Sequence, residues 1–129
     1  MTGWLFDKHG KACVFLLEDR FVSKDGRILG WLAGEDVYSL AGRHIGWFEE
    51  GILYDGCNRV LAFQEAAVLY VSFIPTVIKV PDIPVIPYPR DRPELSGAPY
   101  RPSYCEGWSE LDITRFFRED TIILAKTGK

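Results

Sequence analysis

The sequence predicts a mainly β protein in which four β-hairpins of equal length stack around a pseudo-four-fold axis. The first observation is an ungapped repeat from Trp4 to Glu65, in which Phe6, Val22, Tyr38 and Tyr54 recur with a constant, sixteen-position period. The second is that short runs of β-branched and aromatic residues flank each turn, with alternate positions alike. A single hairpin cannot bury a face by itself, whereas four stacked hairpins can, so the units are expected to pack together.

Each unit marks its turn with two residue types at fixed positions. An Asp or Ser that opens a turn can accept hydrogen bonds from backbone N–H groups a few residues on. Three residues later, Gly or Asn supplies the positive φ that the turn needs. The turn-opening residues are Asp7, Ser23, Ser39 and Asp55, and the positive-φ column is Gly10, Gly26, Gly42 and Asn58. We expect strands near residues 4–7, 11–17, 20–23, 27–32, 36–39, 43–48, 52–55 and 59–65.

Further columns recur beyond each turn. A basic column follows the Gly or Asn at once and comprises Lys11, Arg27, Arg43 and Arg59. The apolar column is Cys13, Leu29, Ile45 and Leu61, and the aromatic column is Phe15, Trp31, Trp47 and Phe63. A glycine inside a strand, as at Gly30 and Gly46, indicates the close approach of another backbone or a large ring. Both faces of these strands are largely apolar, so we expect both to be covered, at least in part.

All eight prolines lie between residues 75 and 102, which predicts a Pro-rich extended arm. The prolines at 81, 84 and 87 recur every three residues, which is the period of a polyproline II helix. Val80, Ile83 and Ile86 form a second, apolar edge with the same period. We expect this edge to be buried along the repeats, although a partner groove that binds PxxP segments would also accept it.

The rest of the chain predicts a few short elements. Residues 66–74 are expected to form a strand or a short buried helix, with extended structure favoured. Ser109 is expected to cap a short helix that ends near Arg118, and Thr121 to Leu124 to add a last strand. The chain then divides into a four-hairpin core at 1–66, a strand and Pro-rich arm packed on it at 67–104, and a short helix and tail at 105–129. At 129 residues these parts are expected to form one compact domain.

Composition narrows the class of protein. The net charge of −3 argues against a nucleic-acid partner. The most apolar run, residues 66–80, is interrupted by Pro75 and Lys79 and is too short to cross a membrane. The N-terminus does not have the pattern of a signal peptide. Three cysteines without a CxxC spacing fit a reduced protein, so we expect a cytoplasmic location.

The basic column is the most suggestive candidate site. If the units are related by a four-fold axis, Lys11, Arg27, Arg43 and Arg59 form a ring that could bind an anion, a phosphate or an acidic partner. The alternative is that these side chains are solvated or paired with the Asp column. The aromatic column could line a ligand cavity, but aromatic residues at a fixed position in a repeat are more often core.

Other kinds of site find little support in the sequence. His9 and His44 are not in a metal-ligand spacing, so no metal is expected. Nothing in the sequence pairs a cysteine with a histidine, and no glycine-rich phosphate loop opens a helix. The sequence therefore predicts no enzyme activity and no cofactor.

With these columns laid out, the chain resembles the bacterial four-fold β-flower domain family. The likeness is carried by Phe6-Asp7 to Gly10, Val22-Ser23 to Gly26, Gly30-Trp31, Tyr38-Ser39 to Gly42, Gly46-Trp47 and Tyr54-Asp55, with a looser match at Trp108-Ser109. The first unit departs from the pattern at Val14-Phe15, and the fourth departs at Asn58 and Ala62-Phe63. The resemblance implies four hairpins arranged like petals around an axis. It implies no established activity, so no functional residue is carried over.

Two functional hypotheses follow from the sequence. The first is a structural or interaction module that associates with itself or binds a protein partner, because both strand faces carry excess apolar residues. The second is a small-ligand or anion-binding protein that uses the ring of basic residues or an axial cavity. Fold does not decide between them.

Overall fold

A computed structural model describes residues 2–65, 67, 75, 77, 80–87, 91–105 and 107–118. Its eight strands are β1 (Gly3–Phe6), β2 (Ala12–Leu17), β3 (Arg20–Val22), β4 (Ile28–Ala33), β5 (Asp36–Ser39), β6 (His44–Glu49), β7 (Ile52–Tyr54) and β8 (Val60–Phe63). One short helix, α1, spans residues 113–118. The predicted mainly β class and the short C-terminal helix are confirmed, and every strand begins and ends within two residues of its predicted bounds.

The strands form a closed antiparallel barrel in chain order, from β1 to β8. Each strand pairs with its neighbour in sequence, and the pairing of Phe6 on β1 with Phe63 on β8 closes the ring. Because consecutive strands alternate in direction, the turns after β1, β3, β5 and β7 all lie at one end of the barrel. That end carries the Asp or Ser and Gly or Asn columns.

A β-bulge recurs in the hairpins that end at β2, β4, β6 and β8. The register shifts between Leu5/Phe6, Phe21/Val22, Val37/Tyr38 and Leu53/Tyr54, which are equivalent positions of the four units. The residue left without a partner on the following strand is the apolar column: Cys13, Leu29, Ile45 and Leu61. A bulge increases the local twist of a strand pair, which helps a sheet of short strands close on itself.

The turns before these bulges are held by side-chain oxygens. Asp7 Oδ1 accepts hydrogen bonds from the backbone N–H groups of His9 (2.8 Å) and Lys11 (3.1 Å). Ser23 Oγ accepts the N–H of Arg27 at 3.0 Å. The same contacts recur at Ser39 and Asp55. The backbone φ is 77° at Gly10, 88° at Gly26, 92° at Gly42 and 63° at Asn58.

The barrel interior is filled by side chains from alternate strand positions. Phe21 on β3 and Phe48 on β6 lie three strands apart in the ring, yet their centroids are 6.2 Å apart, which is possible only across the interior. Phe116 and Phe117 from α1 join this cluster and are buried, and Phe117 lies 5.4 Å from Phe21. The helix therefore inserts two rings into the barrel core.

The start of α1 differs from the prediction. The helix begins at residue 113, and Asp112 caps it by accepting the N–H of Arg115 at 2.7 Å. Ser109 is not the cap. Its hydroxyl donates to Asp55 Oδ2 at 2.5 Å, and its N–H donates to the Val60 carbonyl at 2.7 Å. The buried carboxylate of Asp55 therefore holds Ser109 against the barrel instead of at the helix start.

The second half of the chain contacts the barrel turns in order. The Val85 carbonyl lies against Gly26, and the Glu94 carbonyl lies against Gly42, so that neither glycine has room for a Cβ atom. The Ser96 N–H then donates to the Gly42 carbonyl at 2.9 Å, and the Cys105 N–H donates to the Asn58 carbonyl at 3.2 Å. The described stretches from 80 to 105 thus meet the second, third and fourth turns one after another.

The prediction for the apolar edge of the Pro-rich stretch is wrong at two of its three residues. Ile86 packs on the outer aromatic clusters, but the side chains of Val80 and Ile83 are 47% and 68% exposed. Of the three prolines on the other edge, Pro81 and Pro84 are half-buried and Pro87 is exposed. The Trp4 indole N–H donates to the Pro81 carbonyl at 3.1 Å, which ties the backbone of this stretch to β1.

Two sequence predictions fall largely or wholly outside the described residues. These are the strand or helix at 66–74 and the strand at Thr121 to Leu124. Within the described part of the chain, no helix has the length and apolar character required to cross a bilayer.

We expect Gly30→Ala to lower the free energy of unfolding by about 1–3 kcal/mol, because the new methyl group must displace its neighbours in a packed core. A Cβ at Gly30 would overlap the Tyr38 carbonyl and would lie 2.7 Å from Phe117 Cε1. Urea unfolding followed by far-UV circular dichroism measures the change.

Gly97→Ala is the matched control, because a Cβ there meets no atom within 4 Å and the change should stay within about 0.5 kcal/mol. Equal effects of the two substitutions would contradict the close packing of α1 against Gly30.

Candidate functional site

The four basic residues of the predicted ring all follow turns at the same end of the barrel. The side chains of Lys11, Arg27 and Arg43 are exposed, and that of Arg59 is half-buried. Arg27 Nε lies 3.4 Å from Asp25 Oδ2, and the buried Nε of Arg59 has no hydrogen-bond partner within the part of the chain that the structure describes. Convergence of the four on one anion stays a prediction.

The turns use only the main chain of this basic column. The carbonyls of Lys11, Arg27, Arg43 and Arg59 accept the N–H of the turn-opening residue four positions earlier, at 2.8–3.0 Å. Their own N–H groups donate to the Asp or Ser side chain. Any residue with an N–H group would satisfy this geometry, so the hairpin itself does not require a basic side chain here.

A pocket opens at this end of the barrel, beside the second turn and α1. We call it the mouth pocket, and its volume is about 450 Å³. Its lining residues are Cys13, Ser23, Gly26, Arg27, Ile28, Leu29, Leu40, Pro87, Ile113, Thr114, Phe117 and Arg118. The wall is therefore mostly apolar and carries two guanidinium groups, one from the basic column and one from α1.

Cys13, a member of the predicted apolar column, lies in the mouth pocket wall. Burial, with a smaller effect of the nearby Asp7 charge, raises the pKa of the Cys13 thiol to about 12. The thiol lies 3.4 Å from the Leu5 carbonyl, to which it donates. A protonated thiol is a poor nucleophile, so Cys13 acts as a small apolar wall residue.

The aromatic column faces outward and is covered. Phe15, Trp47 and Phe63 belong to one buried outer cluster, and Trp31 belongs to a second with Tyr38. Trp4 packs edge-on against Phe15 at 5.2 Å, and Trp108 packs on Phe63 at 6.0 Å. These rings pack as core, and Trp31 and Trp47 each also face an arginine.

The sequence did not single out the cluster around Arg101. Arg101 Nη1 lies 2.8 Å from Glu49 Oε1, and Arg101 Nε donates to Asn58 Oδ1 at 3.1 Å. The guanidinium carbon is 5.6 Å from the ring centre of Trp47 and 4.9 Å from those of Tyr54 and Tyr104. We call these six residues the Arg101 cluster. Arg101 lies outside the repeat, so none of the repeating columns indicates it.

Hydrogen bonding within the Arg101 cluster shifts two ionisable groups. The Tyr104 hydroxyl donates to Glu49 Oε1 at 2.5 Å, and this bond raises the pKa of Tyr104 to about 12. The same bond, followed by that from Arg101, lowers the pKa of Glu49. The carboxylate is therefore charged and the phenol neutral at physiological pH.

His44 lies on β6, within the strand predicted at 43–48, and its side chain is buried. Its Nε2 lies 3.0 Å from Asp36 Oδ1, and its ring packs edge-on against Tyr38 and Trp47. Among the residues that the structure describes, no group of three or more His, Cys, Asp or Glu side chains could hold a metal ion.

We expect Cys13 to react with iodoacetamide at pH 8 at least about 100-fold more slowly than Cys57 and Cys105, because only the thiolate is alkylated. The other two cysteines are exposed, and all three are free. Peptide mass spectrometry on samples quenched over time measures each rate, and the same reaction in urea is the control, where Cys13 should become as fast as the others. Equal native rates would contradict the buried, protonated thiol.

Comparison with known proteins finds one family. The family model described as 4-fold beta flower protein matches residues 3–117, which cover the barrel, the described Pro-rich stretches and most of α1. No curated protein and no solved structure matches the chain. Because the family match covers most of the chain, with the repeat and the barrel described above, this protein belongs to the 4-fold beta flower family.

Proposed function

We propose that this protein binds a small amphipathic anion in the mouth pocket. The observation that carries the proposal is the pairing of an apolar cavity of about 450 Å³ with the guanidinium groups of Arg27 and Arg118 in its lining. Small-molecule sites have volumes of about 300–1,000 Å³ and combine apolar walls with a few polar groups that fix orientation.

Arg27 and Arg118 would bind the charged end of the ligand. A planar guanidinium forms paired, charge-assisted hydrogen bonds with carboxylate or phosphate oxygens. Arg27 already lies 3.4 Å from Asp25, but both side chains are largely exposed, so this pair contributes little and can be exchanged for a ligand. Ser23 also lies in the lining, where its hydroxyl donates to Asp25 and accepts the N–H of Arg27.

The apolar wall of the mouth pocket would bind the apolar end of the ligand. Leu29, Ile113 and Phe117 would cover a short alkyl chain or an aromatic ring. Burial of apolar surface contributes roughly 25 cal/mol per Å². A carboxylate or phosphate attached to such a group therefore fits the pocket better than a free inorganic ion.

The frame of this site is proposed to be the four-fold hairpin repeat with the Pro-rich arm wound around it. The recurrence of bulge and turn in every unit supports four equivalent hairpins, and the contacts at Gly26 and Gly42 support an arm packed on the core. In this view the arm supplies Pro87 to the mouth pocket, and α1 supplies Phe117 and Arg118. We also propose a cytoplasmic location, which the free cysteines support.

We expect octanoate or phenyl phosphate to raise the melting temperature, because a ligand that binds only the native state stabilises it by about 2.7 kcal/mol at 100 times its dissociation constant. Arg27→Gln should remove most of this shift. Differential scanning fluorimetry measures it, with inorganic phosphate as the anion that lacks an apolar end.

Arg43→Gln is the matched control, since it makes the same change in the basic column outside the mouth pocket lining. A shift that both variants reduce equally would favour the ring of four basic residues instead. No shift with either ligand would overturn the proposal.

A second candidate function, self-association, is favoured by three exposed apolar side chains of the Pro-rich stretch. Val80, Ile83 and Val85, which we call the apolar ridge, are 47%, 68% and 80% exposed. A second copy of this chain is the occupant we propose, because the net charge of −3 sets little repulsion against association and the same ridge on both copies can form a two-fold contact.

We expect the sedimentation coefficient of the wild-type protein to rise with concentration, and Ile83→Asp/Val85→Asp to remain monomeric, because a charge in the apolar contact must be desolvated. Analytical ultracentrifugation over a range of concentrations measures this. Tyr100→Asp is the control, since Tyr100 is 96% exposed but lies outside the apolar ridge. A wild-type protein that sediments as a monomer throughout would exclude self-association.

A further inference from the structure

Four residues of the Arg101 cluster belong to the barrel, whereas Arg101 and Tyr104 do not. Trp47 and Glu49 lie on β6, Tyr54 lies on β7, and Asn58 lies in the turn before β8. Trp47 and Tyr54 are paired neighbours across β6 and β7, so their rings are held at a fixed separation. The site for the guanidinium group is therefore built into the rigid part of the fold.

These walls match the chemistry of a guanidinium group. Aromatic faces attract a cation through the ring quadrupole, and the attraction is larger where water is displaced. Glu49 Oε1 accepts a hydrogen bond from Arg101 Nη1, and Asn58 Oδ1 accepts one from Arg101 Nε. One carboxylate oxygen and one amide oxygen therefore bind different edges of the same planar group. A lysine ammonium is not planar and could not make both contacts in this way.

Arg101 reaches the site on an irregular segment that is held to the barrel by hydrogen bonds and by the packing of Tyr104 on Tyr54, whose ring centres are 5.5 Å apart. Residues 100–105 contain no helix or strand, and residues 100 and 102–105 are exposed. Besides the Arg101 side chain, the described hydrogen bonds from this segment to the barrel are Asn58 Nδ2 to the Pro102 carbonyl, the Cys105 N–H to the Asn58 carbonyl, and the Tyr104 hydroxyl to Glu49. Among the residues that the structure describes, the buried Arg101 Nη2 has no hydrogen-bond acceptor.

The equivalent position of the preceding hairpin shows that Arg101 is not part of the repeat. Trp31, the equivalent of Trp47 one unit earlier, has Arg20 at 5.2 Å from its ring centre, and Arg20 is its direct partner across β3 and β4. The corresponding partner of Trp47 is Asp36 on β5. The guanidinium group over Trp47 therefore comes from Arg101, which is distant from Trp47 in the sequence.

We propose that Trp47, Tyr54, Glu49 and Asn58 form a receptor for an arginine side chain of another polypeptide, and that Arg101 occupies this receptor as an intramolecular competitor. The bound partner is a peptide segment with an exposed arginine. Release of residues 100–105 from the barrel opens the site. Because a tethered competitor acts at an effective concentration of about millimolar, the wild-type protein binds such a peptide weakly.

The test is binding of acetyl-Gly-Arg-Gly-amide, measured by isothermal titration calorimetry, to the wild-type protein and to Arg101→Ala. We expect the variant to bind at least about tenfold more tightly, because the competitor has been removed. The lysine version of the peptide should bind about tenfold more weakly than the arginine version, and Glu49→Gln in the Arg101→Ala background should lose binding. Lys8→Ala, which changes an exposed cation outside the cluster, should leave binding as it is in the wild type.

Two results would overturn the proposal. One is an Arg101→Ala protein that is folded but binds the arginine peptide no better than the wild type. The other is equal binding of the arginine and lysine peptides, which would reduce the site to a negative charge. If Arg101→Ala does not fold alone, refolding in millimolar methylguanidinium is the measurement: recovery of the far-UV circular dichroism spectrum supports the receptor, and failure to recover it counts against it.

Discussion

The barrel depends on one local contact made four times. In each turn, the side-chain oxygen of Asp7, Ser23, Ser39 or Asp55 accepts the backbone N–H of the residue four positions on. This contact holds the positive-φ residue inside the turn and brings the next strand back in register, after which the bulge adds one residue and increases the twist. The strands are only three to six residues long, so long strand pairing cannot specify the register. The turn specifies it instead, and the register decides which side chains enter the core.

The repeats do not complete their own core. Gly30 and Gly46 face the interior, where Phe117 and Phe116 occupy the space that larger side chains would need. Both rings are buried, and burial of a phenylalanine side chain contributes about 1.5–3 kcal/mol. The stability of the barrel is therefore tied to residues far beyond the last strand in the sequence. The Pro-rich stretches have a related dependence, because backbone carbonyls at 85 and 94 fill the space above Gly26 and Gly42.

Features that depend on local sequence, such as turns and strands, could be predicted. Features that depend on where the non-repeating part of the chain meets the barrel could not. Turn residues and strand bounds could be read because each column recurs, and Gly30 and Gly46 correctly indicated the approach of large rings. Ser109 resembled a helix cap because its neighbours are typical of a first turn, but the buried carboxylate of Asp55, distant in sequence, binds it. Val80 and Ile83 looked like core residues on hydropathy, yet both side chains are exposed, and the contact that ties this stretch to the barrel is the backbone hydrogen bond from Trp4 to Pro81. Arg101 gave no signal, because no local pattern identifies a cation that fills a site on another part of the chain.

The two candidate sites lie where the four units differ. In each case the difference comes from a segment of the chain outside the repeat. A repeat of equivalent hairpins offers four similar turns and four similar aromatic positions, so on its own it provides no distinct pocket. The mouth pocket forms at the second unit because Pro87 and α1 meet Arg27 there. The Arg101 cluster forms at the third and fourth units because Trp47 has an aspartate as its cross-strand partner where Trp31 has an arginine. In both places a non-repeating segment meets the barrel, and apolar surface and charge combine there in the way that specific recognition requires.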